Sequence, residues 1–137
     1  MPKYQVGGQG TFERSTFFIP GAGAKADLVY SMLQQQVQKS GYPIEEARME
    51  SQKMGIFGEK RTYLKMSSKG EVAQVFAQAY GNDLYVMSLV LPEKGFKIGP
   101  MKLFAGLKEN LNPFELQDLE MFSYAIQKII NDILDGF

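Results

Sequence analysis

The chain has 137 residues, 45% of them hydrophobic and 22% charged, which is the make-up of a single folded domain with its own core and not of a disordered segment. Fifteen basic and fifteen acidic side chains cancel, so the whole-chain charge supplies no pull toward nucleic acid or an anionic membrane. Cysteine and histidine are both missing, which excludes disulfides, thiolate nucleophiles and zinc–thiolate centres and removes the one side chain that titrates near neutrality unaided.

Residues 1–10 carry Pro2, Gly7, Gly8 and Gly10 without a period and read as a flexible N-terminal arm, leaving 11–137 as one domain. TFERSTFFI, residues 11–19, is rich in aromatic and β-branched side chains and stops at Pro20, which predicts a strand. Next comes Gly21-Ala22-Gly23-Ala24-Lys25, the stretch most like a chemical motif. A Walker loop needs a hydroxyl after its lysine, and Ala26 stands there instead. Ala26 also holds the third-glycine position of a dinucleotide fingerprint, but a meander of strands follows, not a second parallel unit. The loop therefore reads as a tight exit from strand to helix, with Asp27 favourably placed against the helix dipole and weak anion binding at the helix N–H groups as the alternative.

Leu28, Val29, Met32, Leu33 and Val37 recur at helical spacing, with glutamines mostly on the other side and a stop at Gly41 and Pro43. Residues 44–52 form a weakly patterned strand. After Gly55-Ile56-Phe57-Gly58, RTYLKMS places Thr62, Leu64 and Met66 on one face and Arg61, Tyr63 and Lys65 on the other. Lys69-Gly70 predicts a hairpin turn, and Gly81-Asn82-Asp83 a second one. The segment between them, 72–80, fits helix and strand alike. The close turns select strand, with Ala73, Val75, Ala77 and Ala79 forming a strip of mostly small residues on which a helix can pack. Residues 84–91 are apolar on nearly both faces, as in a central strand covered on two sides. A long connection follows over 93–111. Asn112-Pro113-Phe114-Glu115 then has an N-cap, a proline at N1 and a capping-box glutamate, and Leu119, Phe122, Ile126, Ile129, Ile130 and Ile133 line one face of the helix it opens.

The order β-α-β-β-β-β-α predicts a two-layer α+β domain, an antiparallel sheet of about five strands with two helices on one face. Its function is harder to read. Lys53, Lys60, Arg61, Lys65 and Lys69, and a second lysine cluster over 94–108, are interleaved with Phe57, Tyr63, Phe96 and Phe104, a pattern that suits single-stranded nucleic acid. The last helix is acidic, through Glu115, Asp118, Glu120, Asp132 and Asp135, and Phe114, Met121 and Tyr124 lie off its main apolar stripe. The eight methionines suit gap-filling in the core or an adaptable pocket. Ser67-Ser68-Lys69 and the carboxylates Glu45, Glu46 and Glu50 are the nearest approach to catalytic groups, and neither set is complete.

The expectation is thus a non-catalytic interaction or assembly module, without cofactor or metal, that meets a protein partner or a second copy of itself. Its candidate surface is Phe114, Met121, Tyr124, Arg61, Tyr63 and Lys65. The alternatives are an apolar-ligand pocket between sheet and C-terminal helix, and nucleic-acid binding through the lysine-rich strand face. No run of apolar residues is long enough to span a membrane, and a cytoplasmic protein is expected.

Overall fold

Alternation in the middle of the chain and helical spacing at 26–40 and 113–134 produce two layers. The computed structural model describes residues 4–6, 13–53, 58, 60–92 and 111–137. Strands β1 (Tyr4–Val6) and β2 (Glu13–Ile19) precede a 3-10 turn at Gly23–Lys25 and helix α1 (Ala26–Ser40). Strands β3 (Glu46–Lys53), β4 (Lys60–Ser68), β5 (Glu71–Tyr80) and β6 (Asp83–Pro92) follow, and helix α2 (Pro113–Leu134) closes the order. The sheet runs β1-β2-β6-β5-β4-β3, with every neighbouring pair antiparallel.

The α+β architecture is the one expected, and each of the five predicted strands is present. A sixth joins them. Tyr4–Val6, inside the stretch read as an arm, pairs with β2, with Tyr4 opposite Phe18 and Val6 opposite Thr16. Three residues are too few to show a period. The segment that fitted helix and strand alike is β5, bonded on both sides, with Val75 opposite Leu64 in β4 and Ser88 in β6. The connection over 93–110 and residues 54–57 lie outside the described residues.

Both helices pack on the sheet face that presents Phe17 and Ile19 of β2, Leu64 and Met66 of β4, Ala73 and Val75 of β5, and Leu84, Val86 and Val90 of β6. Val29, Leu33 and Val37 of α1 and the isoleucine row of α2 fill the space above them. The opposite face of the sheet is not simply a wet surface. Tyr63, Val72, Gln74 and Leu91 are buried there, while Met87 and Leu89 of the central strand β6 are half-buried and Tyr85 is 40% exposed. The second side of β6 is thus covered only in part.

One polar contact ties α1 to the sheet. β4 pairs with β3 from Lys60 onward, but with β5 only from Leu64, opposite Val75. Two residues further along the same register Thr62 would face Ala77, and there the hydroxyl of Tyr30 stands between the strands. It accepts the Ala77 N–H at 2.8 Å and lies 3.2 Å from the Ala77 carbonyl and 3.3 Å from that of Thr62, either of which can take its single proton. A side chain thereby replaces a backbone partner where the ladder opens. Gln34, one turn further along α1, donates to the Ala47 carbonyl at 3.2 Å and holds the outermost strand in the same way.

Burial raises the Tyr30 pKa above its ordinary value of 10.0, against the lowering effect of the Ala77 N–H, with a further upward push from Asp27. The folded chain therefore keeps this proton at a pH where the unfolded chain has released it. The stabilisation is intact below pH 10 and is lost as pH climbs from there through the folded-state pKa. Tyr30→Phe strands the Ala77 N–H and is expected to cost about 1–3 kcal/mol in denaturant melts near neutrality. The variant is also expected to lack the Tyr30 share of the stability loss seen as pH rises above 10.0.

Candidate functional site

The glycine loop is occupied by its own chain. Gly21, at φ +77°, donates its N–H to Asp83 Oδ1 at 2.9 Å, and Gly23 donates to the Asn82 carbonyl at 2.8 Å. A Cβ on Gly23 would stand 2.9 Å from the backbone of both Asn82 and Asp83, so only glycine lets the loop lie against the β5–β6 turn. Lys25, the would-be phosphate lysine, holds its ammonium 5.2 Å from the centre of the Phe137 ring. The loop is a joint between β2, the β5–β6 turn and the start of α1.

The lysine-rich strand face is of mixed sign. Arg61 and Lys65 lie on the face of β4 turned from the helices, and β3 lays Glu46, Arg48 and Glu50 beside them. Lys65 pairs with Glu50 at 3.7 Å, and Arg48 pairs with Glu46 at 3.0 Å and with Glu50 at 3.6 Å. Two of the three carboxylates that the sequence grouped, Glu46 and Glu50, are thus bridged by a guanidinium. Tyr63 is 4% exposed, its ring tilted against Phe76 with centroids 5.1 Å apart, so it is packing and not open surface. The lysines of 94–108 and Phe57, Phe96 and Phe104 lie outside the described residues. Among the described residues no group of three acidic side chains is placed to hold a metal ion, and no helix is long and apolar enough to cross a membrane.

The third candidate stands apart from these. α2 begins at a complete capping box, in which Asn112 Oδ1 accepts the Glu115 N–H at 2.8 Å and Glu115 Oε1 accepts the Asn112 N–H at 3.1 Å. From that fixed start the buried stripe turns toward the sheet, and Phe114, Met121 and Tyr124 are left 78%, 55% and 62% exposed. Beside them runs a half-open groove of about 780 Å³. Its walls are the flank of α2, the α1–β3 loop at 42–45 and the β4–β5 turn at 68–71. Both short walls begin or turn at a glycine and are tied to their neighbours by hydrogen bonds. Gly41 and Gly70 turn the chain at φ +78° and +84°. Tyr42 N–H binds Ser40 Oγ at 3.2 Å, and Glu45 N–H binds the Ser67 carbonyl at 2.8 Å.

Tyr42, Ile44, Phe122 and Ala125 supply an apolar floor. Among the described residues the rim carries Glu45, Glu71, Asp118 and Glu120 against Lys69, a strongly acidic border. Of the six residues singled out from sequence, Met121 and Tyr124 line this groove and Phe114 lies on the same helix face. Arg61, Tyr63 and Lys65 belong to the far side of the sheet, so the six do not form one surface. The two short walls carried no sequence signal beyond the turns at Gly41 and Gly70.

Gly23→Ala drives a methyl into the Asn82–Asp83 backbone and is expected to cost about 1–3 kcal/mol, with a lower melting temperature, whereas Ala24→Gly costs less than about 1 kcal/mol. Thermal melts of the two variants side by side check this. Compared with known proteins, the chain matches no family model, no curated protein and no solved structure.

Proposed function

We propose that this chain is a non-catalytic protein-interaction module, and that the groove along α2 docks an amphipathic, basic segment of a partner protein. The observation that carries the reading is an apolar floor framed by carboxylates, with Met121 and Tyr124 held in solvent at its mouth. Tyrosine and methionine are the side chains that interfaces concentrate, because each covers a large area and tolerates a range of partner shapes. A basic segment with one apolar edge satisfies floor and rim together, and an acidic one is repelled. A half-open groove leaves room for a segment that continues beyond it.

The apolar floor also supports a second reading, a small lipophilic ligand in the same groove. The space directly beneath α2 is filled by Leu119, Ile126, Ile129 and Ile130, so such a ligand lies beside the helix and not under it.

Fluorescence anisotropy with two labelled amphipathic helical peptides tests the proposal, one built of leucine and lysine and the other of leucine and glutamate. The basic peptide is expected to bind and to weaken as salt is added, while the acidic peptide does not bind. Met121→Ala and Tyr124→Ala should each weaken binding about tenfold, and because both side chains are exposed the melting temperature should hold. Equal binding of the two peptides sinks the reading. Thermal stabilisation by lipophilic small molecules without peptide binding replaces it with the second one.

A further inference from the structure

The two edges of the sheet differ. β1 offers three residues, whereas β3 offers Glu46–Lys53, and among the described residues no strand lies beyond it. Apart from the Ala47 carbonyl, which already accepts from Gln34 and keeps its second lone pair, no described strand takes up its outer backbone groups, and charged side chains on an edge normally discourage such pairing. On β3 those charges come in a particular order. Glu46, Arg48, Glu50 and Gln52 share the face turned from the helices, with Ala47, Met49 and Ser51 on the other.

We infer that two copies of this chain join through β3, antiparallel about a two-fold axis at Met49, to make one continuous sheet. An antiparallel pair of identical strands has its two-fold axis perpendicular to the sheet, beside a single residue. With the axis at Met49, residues 46–52 of both copies are engaged. Arg48 of each copy then faces Glu50 of the other, twice over, while Glu46 faces Gln52 and Ala47 faces Ser51. No like charges meet. An axis at Arg48 sets Arg48 on Arg48 and Glu46 on Glu50, and an axis at Glu50 sets Glu50 on Glu50. Like charges directly opposite each other are unfavourable, and an axis at Ala47 or Ser51, which also avoids them, engages fewer residues of β3, so charge order and strand length together select one register.

The side chains are placed for this exchange. Arg48 is 56% exposed at its side chain, and its contacts with Glu46 and Glu50 run along its own strand. A guanidinium presents five donors in a fork, so a carboxylate arriving from across the axis is accommodated beside them. Met49, 39% exposed on the helix side of the edge, gains an apolar neighbour in the Met49 of the second copy.

The native chain has no cysteine, so a single introduced thiol reports the register directly. Opposite residues of an antiparallel pair stand about 4.5–5.5 Å apart at Cα, within the span a disulfide bridges. Met49→Cys is expected to oxidise to a covalent dimer, and Gln52→Cys, which faces Glu46, is not. By sedimentation equilibrium the unmodified protein is expected to be a dimer at sub-millimolar concentration. Arg48→Glu should weaken it about tenfold or more, and adding Glu50→Arg to that variant should restore it. Circular dichroism on each variant shows that the fold is kept. A monomeric unmodified protein, equal cross-linking at 49 and 52, or a dimer indifferent to charge reversal overturns the inference. None of these readouts involves the α2 groove, so each proposal stands or falls separately.

Discussion

The seating of α2 on the sheet is the contact on which the remaining features depend. Leu119, Ile126, Ile129, Ile130, Ile133 and Leu134 face inward onto β2, β5, β6 and α1, and their burial fixes both the rotation and the height of the helix. That rotation decides which side chains of α2 are left in water. With the isoleucine row turned down, Tyr124 and Met121 are left exposed on the flank that the loop at 42–45 and the turn at 68–71 face across the groove. The groove is the gap between a helix whose position is set by its core side and two short walls that belong to the sheet.

The rest of the molecule shows how a chain without histidine or cysteine uses the polar groups it has. The loop that most resembles a phosphate cradle directs two N–H groups at the β5–β6 turn, one to a carboxylate and one to a carbonyl. The Tyr30 hydroxyl satisfies the backbone where β4 and β5 part, and the Gln34 amide does the same for β3. Each holds the frame together.

Much of the frame was legible in the sequence because its signals are local. Asn112 to Glu115 announced a capped helix, and both bonds of the capping box are formed. The glycines at 41, 70 and 81 marked the turns, and all have positive φ. Turn spacing was enough to settle β5, although its alanines favour helix taken alone. What stayed hidden depends on neighbours distant in sequence. β3 brings its carboxylates beside Lys65 only once the two strands pair, so a run of lysines read as a basic face proved to be a mixed one. Tyr63 alternates with core residues and looked solvent-facing, but the far side of this sheet is itself partly buried. Of the candidate surface, Met121 and Tyr124 were recognisable as surplus apolar width, whereas Tyr42 and Ile44 sit in a loop with no period at all.

The pairing of β2 with β6 sets the order in which this fold can be assembled. Glu13 lies opposite Val90, so β2 must find a partner almost eighty residues away. The β3–β6 meander can form from nearby turns, but the β2 contact closes a large loop and pays its entropy in one step. On the ribosome β2 and α1 emerge before the strand that receives them exists, and TFFI, with two of its residues destined for burial in the core, stays uncovered until synthesis has passed β6.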